Sequence, residues 1–209
     1  MNNLNLDLAN KQAFELMQAF VCKLQFLRAI HSQQLSLEHY ELEVREVYNM
    51  RKEKPLLKVA YRHISHYRAP LNHKLFQIES SGLPIETTMN ICISTLLDEL
   101  KEYSQGKMPN EEALTQSEIL IGRYDASIHL LSKICFNKVA IEDYWPIVRI
   151  RPIGKYQKTH YFISYQHKYF LSGVNNDQVY TCESLPNNPD YTLDDCIHTL
   201  IAQLKYLKR

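Results

Sequence analysis

At Tyr144 the periodicity of the chain changes, and that change limits the fold more than any other feature. Before it, apolar residues mostly recur at intervals of three and four. After it they come in short aromatic and β-branched runs broken by turn residues. The segments WPIVRIRPIG, THYFISYQ, KYFLSG and QVYTCES, with Gly154 and Gly173–Asp177 between them, predict an antiparallel meander. The expected class is therefore α+β: a helical first two-thirds of about four helices, then a β-meander covered by a C-terminal helix. At 209 residues the chain is expected to form a single domain over 1–209, with 1–138 mainly helical and 139–209 carrying the meander and the last helix.

Within that frame each helix has its own signals. Phe14, Met17, Val21, Leu24 and Leu27 fall on one face of a first helix. Ser36 reads as the N-cap of a second helix, LEHYELEVREVYNMRKEK, which Pro55 ends. Residues 56–79 mix Val, Ile and Tyr and read as a hairpin broken at Ala69-Pro70. Pro84 opens a third helix running to about Tyr103. Asn110, followed by Glu111 and Glu112, opens a fourth, with Leu114, Ile121, Ile128, Leu131 and Cys135 along one stripe. Thr192 caps the last helix, whose stripe of Leu193, Cys196, Ile197, Leu200, Ile201, Leu204 and Leu207 is wide enough to cover a sheet.

Charge is segregated although it nearly cancels. The net charge is +1, yet 54–78 and 144–176 contain no acid and carry five basic residues each, with five of the nine histidines. The rest of the chain holds 14 basic against 23 acidic residues. A protein arranged this way can offer a positive face to an anion while staying near neutral overall. The two windows also share an order of residues: Ile-Ser, Tyr, His-Lys, Phe and Ser-Gly recur in KVAYRHISHYRAPLNHKLFQIESSG and KTHYFISYQHKYFLSG. A duplicated chain would hold two equivalent basic hairpins.

The strand period places Arg149 and Arg151 on one face with Ile147, while Val148 and Ile150 turn to the core. His160, Phe162 and Ser164 share one face of the partner strand. Arg forks onto phosphate oxygens and aromatic rings accept any base, so a basic, Tyr-rich sheet face suits phosphates and unstacked nucleotides. The expected contact residues are Arg149, Arg151, Lys155, Lys158, His160 and Lys168, extended by Lys58, Arg62, His63, Arg68 and Lys74. The expected activity is non-enzymatic binding of nucleic acid, DNA or RNA, or of another phosphate-rich anion. The alternative is a protein–protein module, such as an adaptor, an immunity-type inhibitor or a subunit of a larger complex, meeting an acidic protein surface.

Arg123 and His129 form the run R-Y-D-A-S-I-H, which resembles the R-x4-6-H element of HEPN-type ribonucleases. The resemblance implies a helical ribonuclease in which Arg123 would stabilise the phosphorane charge and His129 would move a proton. Other catalytic patterns are absent: no GxGxxG, GxxxxGK[ST], GxSxG or HExxH occurs. His63, His66 and His73, or His39 with Glu43, supply too few convergent ligands for zinc, so no metal and no cofactor is expected. Five widely spaced cysteines without a CxxC pair read as reduced thiols. Without a signal-like start or a spanning apolar run, the expectation is a cytoplasmic protein with no membrane partner.

Overall fold

The computed structural model describes residues 3–49, 54–64, 76–81, 84–105, 110–153, 158–169, 180–184 and 192–207. In chain order the elements are α1 (Asn3–Ser32), β1 (Tyr40–Asn49), β2 (Lys54–His63), β3 (Phe76–Ser81) and α2 (Ile85–Ser104). There follow α3 (Glu111–Phe136), β4 (Tyr144–Ile153), β5 (Lys158–His167), β6 (Tyr180–Glu183) and α4 (Leu193–Leu207). Two three-stranded antiparallel sheets, β1-β2-β3 and β4-β5-β6, are each bracketed by helices. The class is α+β, but helices and strands are interleaved, so the helical first two-thirds expected from periodicity is not what forms. No helix among the described residues is long and apolar enough to cross a membrane.

The error lies at 37–54, where strand β1 stands in place of the expected second helix. Tyr40, Leu42 and Val44 alternate with Glu41, Glu43 and Arg45, a two-residue period that puts all the apolar groups on one side of a strand. Wound as a helix, the same residues would scatter the apolar groups around the axis. Ser36 accordingly caps nothing; it is buried in the turn that leads into β1. Other start signals hold. The Asn110 side chain accepts from the Glu112 and Ala113 amides at 3.0 and 3.3 Å. Thr192 and Asp195 form a reciprocal capping box at the start of α4, the Thr192 amide donating to Asp195 Oδ2 at 2.7 Å.

The chain is an internal repeat. Register Tyr40↔His63 of β1–β2 returns as Tyr144↔His167 of β4–β5, and Val59↔Ile78 returns as Ile163↔Cys182. Each equivalent pair lies 104 positions apart, as Tyr40 does from Tyr144. The spacing extends to backbone detail: Gln34 and Lys138, and likewise His39 and Asp143, have positive φ between 53° and 61°. Helices obey it as well. Cys92, Leu96 and Leu100 of α2 are buried like Cys196, Leu200 and Leu204 of α4, and Thr95 and Thr199 each donate to the carbonyl four residues back at 2.9 Å. The Ile-Ser correspondence of the two basic windows is out of this register. Ile163 lies within β5, whereas Ile64 follows the end of β2; the true partner of Tyr165 is Tyr61.

Two compact units result, one of residues 1–20 with 122–209 and the other of residues 21–121. Each therefore holds one sheet, its following helix, the later part of that repeat's own long helix and the opening part of the other repeat's. In the first, Ala9 and Ala13 of α1 join Leu130, Leu131 and Ile134 of α3, Val148, Ile163 and Tyr165 of the sheet, and Ile197, Leu200 and Leu204 of α4. In the second, Ala113 and Ser117 of α3 take the equivalent buried places, alongside buried Phe26, Ile30, Val59, Tyr61 and Leu96.

One buried tyrosine fastens each sheet to the turn before it. The Leu37 amide donates to the Tyr61 hydroxyl at 3.1 Å. Equivalently, the Ile141 amide donates to the Tyr165 hydroxyl, which itself donates to the Ile141 carbonyl, both at 3.3 Å. Burial pushes both phenols above their ordinary pKa, keeping both hydroxyls protonated. Tyr165→Phe should destabilise the protein by about 1–3 kcal/mol, because it leaves the part-buried Ile141 amide without its acceptor, although the Ile141 carbonyl keeps the Tyr144 amide. Tyr206→Phe, at an exposed site, should change nothing. Urea denaturation of the two variants beside wild type checks this.

Candidate nucleic-acid interface

The second sheet has a core face and an outer face, set by strand alternation. Val148, Ile163, Tyr165 and Cys182 face the core. Arg149, Arg151, His160, Phe162 and Glu183 line one cleft of about 200 Å³ on the other side. Pairing explains the convergence: Arg149 lies opposite Phe162, Arg151 opposite His160, and Phe162 opposite Glu183. The Arg149 guanidinium carbon stands 5.6 Å from the centre of the Phe162 ring, a cation–π contact. His160 Nε2 lies 2.9 Å from Glu183 Oε1, close enough for an ion pair when the ring is protonated, though not aligned as a hydrogen bond. Among the described residues neither Arg149 nor Arg151 has a carboxylate partner.

The repeat supplies an internal comparison. Arg45 is the counterpart of Arg149, and Glu43 that of Ile147. Glu43 ion-pairs with Arg45 and, at 2.6 Å, with Arg62. The first sheet thus neutralises Arg45 and Arg62, whereas among the described residues Arg149, with Ile147 in place of the acid, has no such partner. Lys23 adds to the first network: burial lowers its pKa, while Glu43 and Glu41 oppose that shift.

The other residues expected at a basic face are dispersed or engaged. Lys168 donates to Asp143 at 2.5 Å. It also lies eight residues from His160, or about 27 Å along an extended chain. His63 meets Tyr40 and His39 edge-on at ring distances of 5.4 and 5.9 Å. Lys58 lies in β2 opposite Arg45. Lys158 opens β5 opposite Ile153, but its side chain, like all of Lys155, Arg68 and Lys74, lies outside the described residues. The two windows fall in different units. Phe162 and Glu183, which complete the cleft, were missed as site residues; only the strand pairing places them beside the arginines.

Arg123 and His129 both lie on α3, six residues apart, about 9 Å along the axis and about 120° around it. His129 Nε2 sits 2.6 Å from Asp194 Oδ1 of α4, and Arg123 Nε is buried without a hydrogen bond. Asp143 and His39 occupy equivalent turn positions. His39 pairs with Glu38 rather than lining up with Glu43 on a helix. Of the remaining proposed ligands, His66 and His73 lie outside the described residues. Among the described residues no three His, Cys, Asp or Glu side chains are grouped to hold a metal. No protein-family model and no curated protein matches the chain.

The hydrogen bond with His129 holds the Asp194 carboxyl below its ordinary pKa, with further pull from Lys133 and His198. A lowered folded value means that the contribution is present above the ordinary carboxylate range and is lost as pH falls through the folded value. In a carbon-detected NMR titration, His129→Ala should move the Asp194 midpoint upward; an unchanged midpoint would remove the assignment.

Proposed function

We propose that the outer face of β4–β6 binds phosphate-bearing ligands, single-stranded nucleic acid first among them. One observation carries this reading: Arg149 and Arg151, without a carboxylate partner among the described residues, share a cleft with His160 and the Phe162 ring. Two arginine forks two residues apart match successive phosphate oxygens. An aromatic ring beside them offers a base a stacking surface worth about 1–3 kcal/mol, without regard to sequence. Glu183 opposes the anion and sets the selectivity of the cleft, since a ligand must compete with it for His160. Non-enzymatic, salt-sensitive binding with little sequence preference is the activity such a face supports.

Fluorescence anisotropy with labelled single-stranded RNA and DNA at about 50 mM salt tests the reading. The two arginines on a single strand predict a slope of log K against log salt of about −1.4. Arg149→Ala and Arg151→Ala should each weaken binding, Glu183→Gln should strengthen it, and Arg45→Ala should leave it unchanged. Absence of binding, or a flat salt response, overturns the proposal. Recovery of one stoichiometric protein and no nucleic acid would favour the interaction module instead. RNA breakdown that His129→Ala abolishes would favour the ribonuclease.

A further inference from the structure

The end of α3 and the outward side of α4 enclose a groove of about 310 Å³. Phe136 and Ala202 give it an exposed apolar surface over the buried Ile197 and Ile201, and Lys133 and Lys205 also line it. Phe136 is 85% exposed, and Tyr206, four residues beyond Ala202, is 78% exposed. Bulky apolar groups left in water beside a concave surface mark a place where another molecule is covered.

The other repeat shows that folding does not require this surface. At the positions equivalent to Lys133, Phe136 and Ala202 it carries Ala29, Ser32 and Asp98, and Asp98 lies 4.0 Å from Lys101. Ser32 turns back to the Ala29 carbonyl at 3.0 Å, an ordinary polar helix end. The same scaffold thus closes one helix end with polar groups and leaves the other with an exposed ring beside Lys133, while Lys205 is matched by Lys101 of the other repeat. Among the described residues no carboxylate lines the groove, and Asp194 interacts electrostatically with Lys133 and His198 of its lining.

We propose that this groove docks an acidic amphipathic helix of a partner protein. Two neighbouring helices leave a trough that a third helix fills by ridges-into-grooves packing, its apolar side chains at i, i+3 or i+4 and i+7. Phe136 and the exposed Ala202, over the buried Ile197 and Ile201, receive that apolar stripe, and Lys133 and Lys205 meet carboxylates flanking it. Charge complementarity selects an acidic helix over a neutral or basic one. The site is separate from the cleft of β4–β6 and does not rest on the nucleic-acid reading.

The test uses the full chain and a designed helical peptide with leucines along one stripe and glutamates on both flanks. Chemical-shift mapping should place it on Phe136, Ile201 and Ala202. Phe136→Ser, which copies the other repeat, and Lys205→Glu should each weaken binding about tenfold or more. Arg149→Ala should leave it unchanged. Denaturation midpoints equal to wild type establish that both surface variants fold. Lack of binding at millimolar peptide, equal binding of a lysine-flanked version, or indifference to Phe136→Ser overturns the proposal. So does sedimentation showing a dimer that Phe136→Ser dissolves, since the groove would then be covered by a second copy.

Discussion

A buried phenol must find hydrogen-bond partners, and here it finds them in the backbone of the turn that precedes its own sheet. Tyr61 and Tyr165, both almost wholly buried in the middle strands, reach Leu37 and Ile141. Those turns contain the positive-φ residues that let the chain leave a long helix and enter a strand. Tertiary anchoring of this sort stabilises conformations that non-glycine residues otherwise resist. Both repeats rely on the same contact, so helix, turn and sheet are held as one element twice over.

With that scaffold in common, differences between the repeats become informative. Glu43 in one and Ile147 in the other decide whether the neighbouring arginine is neutralised at home or left facing solvent. Ser32 and Phe136 decide whether a helix ends in polar groups or in an exposed ring. Neither change touches the shared buried positions, where Cys92 and Cys196 or Leu96 and Leu200 keep identical types. Surface specialisation has proceeded on a conserved interior arrangement, and both candidate surfaces lie in the same unit.

Much of this was legible in the residues. Caps at Asn110 and Thr192 are local chemistry, and the structure places both helices there. The alternation of Arg149 and Arg151 against Val148 and Ile150 predicted the faces of β4. The 37–54 segment was misread because its charged residues suit a helix surface, while its decisive two-residue period spans only six positions. The repeat was glimpsed through the wrong residues, since Ile-Ser occurs in both windows by coincidence and the true equivalence rests on scattered positions such as Tyr61 and Tyr165.

By itself the sequence determined the helices at α1, α2, α3 and α4, though not the strand at 40–49, together with the strand character after Tyr144 and the separation of charge into two windows, because each depends on neighbours within a few residues. Tertiary structure alone decided that Glu43 meets Arg62, that Glu183 meets His160, and that the first part of α1 is buried with the second sheet. Those outcomes depend on groups distant in the chain being brought within a few ångströms. Strand register and helix packing fix that proximity, and no local pattern of residues encodes it.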